Sequence, residues 1–169
     1  MPDEDAPNWD RIVDRHADRV YRVAFRILGS APDAEDVSQD VFLEAFRLHL
    51  AGPVQSWEGL LVRLATLRSL DRLRRPRPAA ALREGDRVSH IEPCDEMAAT
   101  ELRQWLRNAV ANLPDRQAAV FVMFHLERFT RGEIAATLGV SADAVSTALY
   151  KARQRLLTQL AVFNRGGLP

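Results

Sequence analysis

Lysine is almost missing from this 169-residue chain: of 23 basic residues, 22 are arginine and only Lys151 is lysine. Arginine is always charged and carries a planar fork suited to phosphate and base edges, though codon bias alone produces the same skew. Cysteine is nearly absent too. The single Cys94 excludes an internal disulfide framework and fits a reducing compartment. No apolar run approaches the roughly 20 residues that a membrane-spanning helix needs. The N-terminal MPDEDAPNWD is acidic and has no apolar h-region. Neither membrane insertion nor a secretory signal is expected, and the chain reads as soluble and cytoplasmic. Alternating strand patterns are lacking, as are internal repeats. So are G-x-S-x-G, P-loop and dinucleotide fingerprints, and His16, His49, His90 and His125 share no motif. An enzyme reading has no residues to stand on, and no cofactor or metal is expected.

What is present is an ordinary globular composition, 47% hydrophobic and 27% charged. Formal net charge is zero, which taken whole argues against a nucleic-acid binder, but the charge is unevenly spread. Residues 1–56 hold 6 Arg and 11 acids, and residues 57–78 hold 6 Arg and 2 acids. Residues 79–100 come to −3 and residues 101–169 to +4. An acidic entry, a basic patch, an acidic bridge and a basic end underlie the zero sum.

Hydrophobic periodicity is helical throughout. Trp9 to Leu28 reads as a first helix, with Ile12, Val13, His16, Val20, Val23, Ala24 and Ile27 inward and Arg11, Arg15, Arg19, Arg22 and Arg26 outward; Gly29 ends it. Ser30 begins a second helix, with Pro32 tolerated in its first turn, running to about Leu48. A loop from His49 to Gln55 contains Gly52-Pro53. Ser56 caps a third helix from Trp57 to about Arg75, and Pro76 and Pro78 stop it. An aperiodic linker follows. Asp95 to Asn112 and Asp115 to Leu126 are helical again. The expected fold is therefore all-α: two small helical domains, 8–78 and 101–163, joined by a flexible linker over 79–100. Domains this small bury a limited share of their surface, so a stabilising partner is expected.

The stretch from Thr130 to Arg155 carries the clearest local signal. Thr130 with Glu133 forms the pattern of a capping box. Gly139 supplies a left-handed terminator, and Ser141 caps a longer helix on which Val145, Leu149 and Leu156 recur. A short helix, a glycine turn and a longer helix with a polar outer face make a helix-turn-helix, whose second helix ordinarily enters the DNA major groove. An αα-hairpin that only packs is the plainer alternative.

Two further constellations stand out. Asp36, Asp40 and Glu44 recur every four residues as an acidic stripe beside Phe42 and Phe46. No Glu-x-x-His pair accompanies them, which disfavours a di-metal site. A solvated face or a docking stripe with aromatic anchors remains. The segment Trp57–Arg77 combines an aromatic residue with Arg63, Arg68, Arg72, Arg74, Arg75 and Arg77. Five arginines in ten residues exceed what helix-dipole complementarity needs, which favours phosphate contact over a merely solvated helix end.

The second helix, GSAPDAEDVSQDVFLEAFR, resembles a docking helix of bacterial sigma factors. The third, WEGLLVRLATLRSLDRLRR, is similar to the same family's promoter-melting segment. LPDRQAAVFVMFHLERFTRGEIAATLGVSADAVSTALYKARQRL is similar to its upstream-element reader. Their order and the linker match the extracytoplasmic-function (ECF) group, and the resemblance spans residues 9 to about 160. It implies partners: core RNA polymerase, promoter DNA and an anti-sigma factor that could hold the chain inactive. It implies polymerase docking by Asp36, Val37, Gln39, Asp40, Phe42, Leu43 and Phe46. It implies that the loop His49–Ser56, with Trp57, Arg63, Leu67, Arg68, Asp71, Arg72, Arg74 and Arg75, handles the melted strand, where a basic groove and a pocket for an unstacked base are needed. Upstream DNA would be contacted by Thr130, Arg131, Ser141, Ala142, Asp143, Ser146, Thr147, Lys151 and Arg153. The chain departs from the family at Leu67, where Asn is common. It departs again at Ala144-Val145-Ser146-Thr147-Ala148, where Thr-Val-Lys-Ser-Arg is usual, so atypical promoter reading is expected. A conventional dimeric helix-turn-helix regulator and a sigma-like interaction module without promoter reading are the alternatives.

Overall fold

The computed structural model describes residues 8–75 and 94–166. Most of the expected linker, with Pro76, Arg77 and Pro78, lies outside them. Among the described residues every regular element is helical.

Helix α1 (Trp9–Leu28) starts at Asn8, whose side chain accepts from the Arg11 N–H, and ends at Gly29 with φ 69°, a left-handed terminator. Ser30 Oγ caps α2 (Ala31–Ala51) by accepting from the Asp33 N–H, with Pro32 in the first turn. The helix runs past the expected Leu48, because His49-Leu50-Ala51 contains no breaker before Gly52-Pro53. Ser56 Oγ accepts from the Gly59 N–H at 3.1 Å and opens α3 (Trp57–Arg74). α1, α2 and α3 pack on one another, burying Val20, Val23 and Ile27 against Val41, Ala45, Leu61 and Leu70.

The second half begins with α4 (Cys94–Ala111) and α5 (Asp115–Phe121). Here the structure departs from expectation. The helix expected to reach Leu126 turns π-helical over Val122–Leu126, with the Glu127 N–H bonded to Val122 O at 3.1 Å. The wider turn buries both Val122 and Met123 and leads into Arg128, whose φ of 63° is rare for a residue with a side chain. α6 (Arg131–Leu138) carries the complete capping box: Glu133 N–H donates to Thr130 Oγ1, and Glu133 Oε2 accepts from the Thr130 N–H at 2.7 Å. Gly139, φ 64°, ends it, and Ser141 Oγ accepts from the Ala144 N–H to start α7 (Ala142–Gly166). Ile134 and Ala135 meet Val145, Leu149 and Ala152 in the crook of this helix-turn-helix.

The two halves share one buried cluster. α3 is the seam: it packs on α1 and α2 on one side and on α4, α5, the π turn and α6 on the other. This explains why α3 buries side chains around most of its circumference, where a surface helix would bury one stripe.

Candidate polymerase and nucleic-acid interfaces

α2 divides the expected docking residues by helical position. Val37 is only 3% exposed and belongs to the core with Val41 and Ala45, so it cannot touch a partner. Asp36, Gln39 and Asp40 are exposed on the opposite side. Leu43 is 58% exposed and Phe46 40%, which is unusual for large apolar groups on a folded helix. Leu50, also exposed, extends the same patch. Behind it, Trp9 packs edge-on against Phe42, Phe46 and Trp57, with centroids 6.3, 5.0 and 5.6 Å away. An apolar patch edged by acids and backed by rigid aromatic rings has the anatomy of a docking surface.

The acidic stripe also has an internal role that spacing did not reveal. Glu44 receives a two-pronged bond from Arg68, at 2.6 and 2.7 Å. Arg72 donates to Asp33 at 2.6 Å and to Asp36 at 3.3 Å. These bonds hold both guanidinium groups even more firmly protonated than usual. Asp71 lies 3.7 Å from Arg68 and 3.6 Å from Arg74. Of the stripe, Asp40 is left as the acid whose side chain faces outward without a short bond to α3.

The expected strand-handling residues point in three directions. Trp57 lies in the aromatic group beside His49, 5.3 Å between centroids. Arg68 and Arg72 turn to α2. Arg63, Leu67 and Arg74 turn to the C-terminal half. Arg63 and Leu67 line a hollow shared with Asp115, Arg116, Leu138 and Val140. Arg74 donates to Ala111 O at 2.7 Å, Leu113 O at 2.9 Å and Asp115 at 2.7 Å. Arg75 is exposed at the end of the helix. The loop Gly52–Ser56 forms one wall of a cleft of about 690 Å³, and Phe129, Glu133, Ala136 and Thr137 form the other.

On α7, Ala142, Asp143, Ser146, Thr147, Lys151 and Arg153 are all exposed, with Ser141 at the cap. Helical spacing groups Asp143, Thr147, Tyr150 and Gln154 at the centre of this face. Tyr150, 64% exposed, was not anticipated, although its place three residues after Thr147 marks it as a neighbour. Lys151 and Arg153 flank the face on its two edges. Arg153 Nε approaches His125 Nε2 at 3.4 Å, and burial together with Arg153 holds that imidazole below its ordinary range, which keeps it neutral and able to accept. Thr130 and Arg131 are exposed at the start of α6, Arg131 lying over the Phe124 ring at 5.5 Å.

Two contacts between the halves were not legible in the sequence. Arg19 donates to the carboxylate and the backbone carbonyl of Glu127, both at 3.1 Å, sits over the Phe129 ring and pairs with Glu58. Arg26 reaches the other oxygen of Glu127 at 2.8 Å. The Glu127 side chain is 7% exposed. The outward arginine row expected on α1 therefore includes two residues that hold the C-terminal half.

Comparison with known proteins agrees with this layout. Residues 12–78 match the family model for Sigma-70 region 2, and residues 103–156 match Sigma-70, region 4. The chain is 37% identical over 160 residues to the ECF RNA polymerase sigma factor SigE of Mycolicibacterium smegmatis, covering 92% of this chain and 62% of that protein's length. It is 27% identical to SigW of Bacillus subtilis, covering 94% and 90% of the two chains. It is 30% identical to SigM of Mycobacterium tuberculosis, covering 94% and 80%. Among solved structures, CnrH in complex with the cytosolic domain of CnrY has a similar fold, with a TM-score of 0.59 at 22% identity, covering 91% and 88% of the chains. The sigma factor RpoE in complex with the anti-sigma factor NepR from Bartonella quintana gives 0.54 at 15%, covering 93% and 99%. No helix among the described residues is long and apolar enough to cross a membrane. With regions 2 and 4 in order, and SigM matched over four-fifths of its length, the chain belongs to the ECF family of RNA polymerase sigma factors.

Proposed function

We propose that this chain docks on core RNA polymerase through α2, brings it to particular promoters and assists strand opening, with no bond chemistry of its own. The observation that carries the reading is the exposed patch on α2, where Leu43 and Phe46 stand beside Asp40 and Gln39. A dimeric regulator using only a helix-turn-helix has no use for such a patch. Asp36 and Asp40 supply charge for a basic partner surface, and the apolar pair supplies the buried area.

Upstream DNA is contacted by the outer face of α7. Its centre offers hydroxyls, an amide and a phenol for base edges, and Lys151 and Arg153 lie where phosphates of the groove walls pass. Fewer cations give a shallow salt dependence. The work takes place in the cytoplasm, where polymerase and DNA are, and an anti-sigma partner of the kind seen with RpoE is part of the reading.

The docking surface is tested by Asp40→Arg, chosen because Asp36 also bonds Arg72. Affinity for core polymerase is expected to fall at least tenfold, about 1.4 kcal/mol, with the circular-dichroism melt unchanged. Unchanged core affinity would remove α2 as the docking element.

A further inference from the structure

A hollow of about 250 Å³ lies between the C-terminal end of α1 and the corner of α4 and α5. Its walls are apolar: Phe25 from α1, Leu106 and Val110 from α4, and Phe121, Val122 and Leu126 from α5 and the π turn. Phe25, stacked on Tyr21 with centroids 6.0 Å apart, is 41% exposed, so the apolar lining reaches solvent. Three arginines, Arg26, Arg103 and Arg107, line the same hollow. Glu127 takes up the charge of Arg26. Among the described residues, neither Arg103 nor Arg107 is paired with a carboxylate.

Arg107 is fixed in place. Its Nε donates to Arg26 O at 3.0 Å, and its guanidinium lies against Gly29, where an added β-carbon would fall 2.5 Å from Nη1. A cation at the end of α1 suits the helix dipole, which accounts for that one bond. It does not account for Arg103, one turn earlier on α4 and exposed. Burial, with the Arg103 charge beside it, pulls the Arg107 guanidinium below its ordinary range. Two uncompensated guanidinium groups repel each other, and an anion bonded to both relieves each of them.

We infer that this hollow binds a small amphipathic anion: a carboxylate held by Arg103 and Arg107, carrying one apolar chain that fills the space lined by Phe25, Leu106, Val110 and Leu126. The volume has room for about eight water-sized groups, which sets the chain at about eight carbons. Apolar walls with a few convergent polar groups are the usual make-up of a small-molecule site. The hollow shares no residue with the α2 patch or with the outer face of α7, so it is a separate site.

Calorimetric titration of the full chain with octanoate tests this. Saturable binding of one octanoate per chain is expected, with octanol and octylammonium at least tenfold weaker. Affinity should rise about fourfold per methylene from butanoate to octanoate and level off once the hollow is full. Arg103→Gln, at an exposed and unpaired position, should weaken octanoate at least tenfold and leave the thermal midpoint unchanged, whereas Leu43→Ala on the α2 patch should leave octanoate binding as it is. No saturable binding, equal binding of octanol, or full affinity in Arg103→Gln would each overturn the inference. None of these outcomes bears on polymerase docking, which is measured separately.

Discussion

Glu127 and its two arginines show what single residues contribute here. A carboxylate this enclosed, with one charge-assisted bond from each arginine, is worth more than an exposed pair. Glu127→Ala is expected to destabilise the fold by about 2 kcal/mol, read as a lowered urea midpoint; a change under about 0.5 kcal/mol would assign the contact to surface decoration. Histidines set the pH response. Burial, with Arg153 for His125 and with Arg15 and Arg19 for His16, holds both rings below the ordinary value of 6.5. The unfolded chain then takes up protons that the folded chain refuses. Stability from these groups is complete above pH 6.5 and is lost as pH falls below it. Urea midpoints at pH 7.5 and 5.5 should differ in that direction, and His125→Gln should reduce the difference. Equal midpoints would contradict the account. Glu133 behaves as an acid held low by the Thr130 N–H, so its share is lost only at more acid pH.

At the scale of elements, the sequence was most legible where a cap and its partner are three residues apart. Ser30, Ser56, Thr130 and Ser141 each bond the N–H three positions on, and each starts the helix expected of it. The π turn over Val122–Leu126 had no such local sign, because it answers to the packing of Val122 and Met123 under α3 and α6. Val37 was misplaced on the docking face for a related reason. It directly follows Asp36 in the stretch GSAPDAEDVSQDVFLEAFR, but helical geometry turns it 100° from Asp36 and into the core. The hydrogen-bond acceptors of Arg19, Arg26 and Arg74 lie 37 or more residues away and follow from no local pattern. α7 makes its own prediction. Replacing Lys151 and Arg153 together should lower the slope of log affinity against log salt by about two units. Tyr150→Ala should change which promoters are used while leaving that slope alone. Loss of promoter preference in the double variant with an unchanged slope would reverse these roles.

For the whole molecule, zero net charge conceals a basic helix neutralised from within. Glu44, Asp33, Asp36 and Asp115 meet Arg68, Arg72 and Arg74 of α3. The most direct test is reconstituted run-off transcription, with purified chain added to core polymerase over a set of genomic fragments. Discrete transcripts from a few fragments, absent without the chain and weakened by Asp40→Arg, are the predicted result. Core polymerase that neither binds the chain nor initiates at new positions would contradict the account.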